Sequence, residues 1–239
     1  MTEETQPMKG PLSNNKALIT GAAGGIGLMA ARALAQTGCG LYVVGQKFAN
    51  IYQTANDLRS TYAVETELHM GNPANPVDAE AIGMACADAD IFISCTGNLP
   101  KGALEDIEDG RWRKSWEAAV FAPINMAREM IGHMEDEGNG LIVFVIDTPA
   151  KVNPDDICAS ASGAVLKTMV NGLGQDLAKG VRIIGLLTGR ALDAAQFSEA
   201  ITRLALEPQH FPTGSLITAG EILDTLNKDD DQDEQKENA

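Results

Sequence analysis

An apolar run that breaks into glycine constrains this chain more than any other feature. Leu18-Ile19-Thr20 lead into Gly21-Ala22-Ala23-Gly24-Gly25-Ile26-Gly27, and an alanine-rich helical pattern follows over 26–36. A strand turning that sharply into a helix brings backbone amides and a helix N-terminus to one point. Such a turn receives an anion, and its small residues let the backbone approach a pyrophosphate. Gly21, Gly25, Ile26 and Gly27 are the candidate cofactor-binding residues. The glycines have a structural use as well, because they allow close helix–strand packing.

Beyond this turn, strand and helix patterns alternate. Short apolar runs cover 17–20, 41–44, 90–94, 141–146 and 181–187, with a weaker run at 67–70 and a last one at 215–218. They are continuous, as expected for parallel strands covered on both faces. Helical patterns lie between them, notably over 26–36, 111–134 and 157–178. The expected fold is α/β: a single-domain, Rossmann-like, doubly wound parallel sheet of about seven strands with helices on both faces. Its boundaries are a flexible leader over 1–15, the domain over 16–226 and an acidic disordered tail over 227–239. The tail is too charged to bury apolar area.

Composition narrows the partners. Of 239 residues, 33 are acidic and 18 basic, a net charge of −15 that repels nucleic acid and anionic lipid, so neither is an expected partner. No apolar run reaches transmembrane length, and the N-terminus lacks a signal-peptide pattern, which points to a cytoplasmic protein. Cys39, Cys86, Cys95 and Cys158 have no CxxC spacing and read as small buried residues in a reducing compartment. His69, His133 and His210 form no ligand-spaced cluster, so no metal is expected.

The T-G-x-x-x-G-I-G turn resembles that of the short-chain dehydrogenase/reductase superfamily, and the resemblance covers about Lys16 to Leu223. Further landmarks follow in family order. Asp90-Ile91-Phe92-Ile93-Ser94-Cys95-Thr96-Gly97 is similar to the D-I-L-V-N-N-A-G strand, and Gly140-Leu141-Ile142-Val143 precedes the serine segment. Val181-Arg182-Ile183 with Thr188-Gly189, then Phe211-Pro212-Thr213-Gly214, are similar to the closing motifs.

The resemblance also says which side chains should do the chemistry. In this family a tyrosine transfers the proton, a lysine lowers its pKa and holds the nicotinamide ribose, a serine binds the substrate oxygen, and an asparagine holds a relay water. A free phenol ionises near pH 10, so the ammonium is needed for work near neutrality. Here the Tyr-x-x-x-Lys register falls on Cys158 and Ser162, the serine on Thr148 and the asparagine on Ala119. Lys167 is turned about 140° from Ser162 on a 3.6-residue helix, and Asn125 lies well beyond the family position. No catalytic residue is therefore assigned. Cys158 as a nucleophile would need a cation or base, but its neighbours Asp155 and Asp156 would raise a thiol pKa.

Other expected contacts are changed too. After the second strand, where an acid would bind the NAD ribose diol, the chain reads Gly45-Gln46-Lys47, and the adenine-side aspartate gives way to Met70-Gly71-Asn72. The substrate lid is missing, since Thr188-Gly189 runs almost directly into the helix beginning near Ala194. The resemblance implies a catalytically silent subunit, like those of heteromeric acyl-CoA-linked dehydrogenases. Its partner would be an active short-chain dehydrogenase paralogue, in a heterodimer or heterotetramer that carries NAD in the active subunit. NAD(P) on this chain stays open, as do a nucleotide-sensing role and an altered chemistry recruiting Thr148 or Cys158.

Overall fold

In the computed structural model, residues 9–95, 99–147, 152–189 and 193–226 are described. The strands are β1 (Lys16–Thr20), β2 (Gly40–Gly45), β3 (Thr66–Met70), β4 (Ile91–Cys95), β5 (Gly140–Asp147), β6 (Val181–Thr188) and β7 (Ser215–Thr218). They form one parallel sheet in the order β3-β2-β1-β4-β5-β6-β7. The order reverses between β1 and β4, which opens a crevice at the C-terminal ends of these strands.

The central strands are buried on both sides, which explains their continuous apolar runs, whereas the edge strands β3 and β7 are partly exposed. In β1, Ala17 and Ile19 join one core cluster while Leu18 joins the other. In β5, Leu141, Val143 and Val145 face the first, and Ile142, Phe144 and Ile146 the second. The first core is closed by helices α1 (Gly25–Gln36), α2 (Phe48–Tyr62) and α7 (Ala194–Leu206), through Leu34, Ile51, Leu58, Phe197 and Ile201. The second is closed by α3 (Pro76–Ala85), α5 (Ala122–Glu137) and α6 (Ile157–Leu173), through Ile82, Met126, Met130, Leu166 and Val170. A final helical segment covers 219–226.

Local signals set several helix starts. Asn75 caps α3 by accepting from the Val77 amide, with Pro76 at the first helical position. Asp193 caps α7 by accepting from the Gln196 amide at 2.9 Å. The helix expected over 111–134 is instead α4 (Asp109–Trp116), a π-turn (Glu117–Phe121) and α5. Pro123 has no amide hydrogen to give the Ala119 carbonyl one turn earlier, and a π-turn absorbs the lost bond.

The expected flexible leader over 1–15 needs correction at its end. Leu12 is buried, its amide donates to the Thr37 carbonyl at 3.0 Å, and 10–15 pack as a turn against the end of α1. The tail expected over 227–239 lies outside the described residues.

Candidate dinucleotide crevice

The glycines at the end of β1 have separate jobs. A Cβ on Gly21 would sit 2.8 Å from the Cys95 carbonyl oxygen, and one on Gly27 would sit 2.3 Å from the Gly21 carbonyl oxygen. Both are therefore demanded by the fold, one bringing β1 against β4 and the other α1 against β1. Gly25 takes φ 54°, which disfavours other residues. Gly24 is different: its backbone is extended, and a Cβ there would meet nothing within 4 Å. The fold makes no demand for glycine at that position, so its missing side chain leaves open a space that even a methyl group would narrow. The first intrahelical amide bond of α1 runs from Leu28 to Gly24, leaving the preceding amides at a helix N-terminus. These residues fit a pyrophosphate.

The turn divides the crevice in two. One half, about 620 Å³, is lined by Gly45, Gln46, Lys47, Asn50, Asn72 and Cys95 among others. Gln46 Nε2 donates to Asn72 Oδ1 at 2.9 Å, and the Ala74 amide donates to the same oxygen. The Asn72 amide in turn donates to Asp78 Oδ2. This clasp stands where a ribose-binding acid was sought after β2, and Lys47 is the only charged residue among the described ones that line this half.

The other half, about 480 Å³, is bounded by Gly24, Ile26, Lys101, Asp147, Asp156 and Ala159. All four candidate cofactor residues, Gly21, Gly25, Ile26 and Gly27, line it, and Gly21 borders both halves. Sequence reasoning missed Lys101 and Asp147 altogether and treated Asp156 only as a neighbour of Cys158. Their common signal was position: Asp147 closes the apolar run of β5 at its C-terminal end, and Asp156 stands immediately before α6.

The positions that would carry proton transfer are packed away. Cys158 is 0% exposed and lies outside the lining of the crevice, whose α6 wall is Ala159. Burial pushes its thiol up, outweighing the opposing hydrogen bond from Ser115. The expected cause, carboxylates at Asp155 and Asp156, is replaced by desolvation. Ser162 Oγ donates to the carbonyls of Cys158 and Ala159 at 2.9 and 3.3 Å, a bond back into its own helix. Ala119 is buried in the π-turn. Asn125 Nδ2 donates to the carbonyls of Pro73 and Ala74, both at 3.1 Å, and ties α5 to the loop after β3. Thr148 lies outside the described residues.

Among the described residues, no group of three or more His, Cys, Asp or Glu side chains is arranged to hold a metal ion. Among them, too, no helix is long and apolar enough to cross a membrane. Between β6 and α7 only 189–193 intervene, too short a link for a lid over the crevice.

Comparison with known proteins gives the same class. The short chain dehydrogenase family model matches residues 15–199, and the chain belongs to that family. An uncharacterized oxidoreductase of Staphylococcus haemolyticus, SH0585, is 23% identical over 222 residues, covering 83% of this chain and 94% of that protein. Human dehydrogenase/reductase SDR family member 4 is 29% identical over 149 residues, covering 61% of this chain and 54% of that protein. Among solved structures, a short chain dehydrogenase from Mycobacterium smegmatis superposes with a TM-score of 0.79 at 17% identity, covering 90% and 96% of the two chains. A metagenomic short-chain oxidoreductase in complex with NADP gives 0.78 at 19% identity, covering 87% and 98%. By sequence this is a chain of short-chain dehydrogenase type, and its sheet is that of the family.

Proposed function

We propose that this chain is a catalytically silent short-chain dehydrogenase subunit that assembles with an active paralogue. The complex would be an NAD-dependent dehydrogenase of a hydroxyacyl-CoA-type substrate, similar to (hydroxybenzyl)succinyl-CoA dehydrogenase. The observation that carries this reading is the packing of Cys158 and Ser162. At the register of the family's phenol and ammonium stand a fully buried thiol and a hydroxyl bonded to its own helix. A hydride can be supplied by a bound dinucleotide, but the partner proton needs a group of suitable pKa within reach. Neither Cys158 nor Ser162 supplies one. The sheet and glycine turn remain complete, which keeps the shape of a family subunit.

The test is co-expression of the chain with an intact paralogue encoded beside it, followed by size-exclusion chromatography and an activity assay. A stable complex whose activity survives Cys158→Ala here, and is lost when the paralogue's tyrosine is changed, is the expected result. Elution of this chain by itself in the paralogue's presence, or turnover by the isolated chain, overturns the reading.

The open cradle at Gly24 favours a second reading, a binding protein that senses a nucleotide. Calorimetry with NAD, NADH, NADP and NADPH on the isolated chain separates the two. Submicromolar affinity without any paralogue favours sensing.

A further inference from the structure

We propose that the crevice discriminates between the redox states of a dinucleotide and holds the oxidised form more tightly than the reduced one. The inference rests on the reading that the glycine turn receives a pyrophosphate. In a doubly wound sheet the adenosine lies toward the end of β2. That is the half lined by Gln46 and Lys47, so the nicotinamide falls to the half lined by Asp147 and Asp156.

Both carboxylates are placed by the fold. Asp147 ends β5 and is registered against Thr188 of β6. Asp156 is 6% exposed and stands at the N-cap of α6. Its amide donates to the Asn153 carbonyl at 2.9 Å, and a bridge to Gly102 ties it to the loop that carries Lys101. Lys101 is the one cation among the described residues lining this half. Among the described residues, this half therefore carries two carboxylates against one ammonium.

The oxidised nicotinamide ring bears a positive charge and the reduced ring is neutral, while the remainder of the two molecules is alike. The part of an affinity difference that disappears when a carboxylate is removed is then a reading of the local field. An excess of one acid over base in the lining of a crevice open to water corresponds to a preference of about fivefold for the oxidised form.

The test is calorimetry on the full chain with NAD+, NADH, NADP+ and NADPH, repeated for Asp147→Asn and for Asp156→Asn. The Asp156 side chain makes no capping hydrogen bond to α6, and asparagine is nearly isosteric with it, so the second change leaves the start of α6 intact. The expected result is tighter binding of both oxidised forms, with the ratio falling to less than about twofold in at least one variant. Equal affinities, tighter reduced forms, or a ratio unmoved by both substitutions overturn this inference and leave dinucleotide binding standing. Absence of binding by all four nucleotides overturns both.

Discussion

The ε-amino group of Lys16 lies 2.9 Å from the Tyr42 hydroxyl, and both groups bond to the carboxylate of Asp88. The family uses a tyrosine and a lysine for proton transfer, but this pair sits at the opposite end of the sheet from the crevice. Lys16 opens β1, and Asp88 comes just before β4. Burial pushes the Tyr42 phenol up in spite of the lysine, the reverse of what a proton-transfer tyrosine requires. Tyr42→Phe is expected to lower stability by about 1 kcal/mol in urea unfolding, the net worth of a hydrogen bond. Nucleotide affinity should not change. A loss of affinity without a loss of stability would contradict the structural assignment.

The same cluster gives a pH dependence. Burial raises the Asp88 carboxyl, but the Lys16 and Tyr42 hydrogen bonds outweigh it and leave the group below its ordinary value. A depressed folded pKa contributes stability that is present above the unfolded value, near 4, and is lost as pH falls through the folded one. The Asp88 side chain is 60% exposed, so solvent screening keeps the effect small. Thermal unfolding of the wild type and Asp88→Asn should converge as the pH drops below about 4. A gap between them that is constant with pH would exclude this linkage.

Burial pushes the thiols of Cys39, Cys86 and Cys95 up to about 12. Raised folded pKa values give stability that is complete below the unfolded thiol value, about 8.5, and that drains away as pH climbs toward the folded values. Alkaline unfolding should therefore begin above about pH 9. At pH 8, a disulfide reagent should label all four cysteines only after denaturation, because all four are buried. Rapid labelling of native Cys158 would restore it as a candidate nucleophile.

Alanine substitutions separate the two jobs of the glycine turn. Gly27→Ala forces a methyl against the Gly21 carbonyl and should cost about 3 kcal/mol. Gly24→Ala has room and an extended backbone, so stability should stay within about 0.5 kcal/mol of wild type. If a pyrophosphate occupies the cradle, the same change should weaken nucleotide binding severalfold. Unaltered affinity in a folded Gly24→Ala chain would remove the pyrophosphate from this turn.

Asn125 is a brace. Replacing it with alanine leaves the Pro73 and Ala74 carbonyls without their side-chain donor, at a cost of about 1–3 kcal/mol. Because Pro73 borders the Gln46 half of the crevice, nucleotide binding should weaken as well. Wild-type stability in Asn125→Ala would show that the brace contributes nothing.

The strands were legible because double burial writes itself as unbroken apolar runs. Only β3 was faint: it is an edge strand with half-exposed positions and a mixed sequence, Thr66-Glu67-Leu68-His69-Met70. The turn at Gly21–Gly27 was legible for a local reason, since strand, turn and helix are consecutive. The break at Glu117–Phe121 was less visible, although Pro123 marks it, because the apolar pattern continues across the π-turn. Leu12 reads as part of a polar leader until the end of α1 is brought beside it. The carboxylates at Asp147 and Asp156 were missed because the crevice wall joins residues from separate segments. Lys101, Asp147 and Asp156 become neighbours only when β4 and β5 pair.

The short link between β6 and α7 bears on kinetics as much as on shielding. In relatives with a mobile cover, departure of a ligand waits for that cover to open. Here only the five residues 189–193 link β6 to α7, too few to form such a cover. A dinucleotide bound in this crevice would exchange with the surrounding pool without waiting on that link, a property that suits a subunit that reports on the pool better than one that must keep its hydride from water.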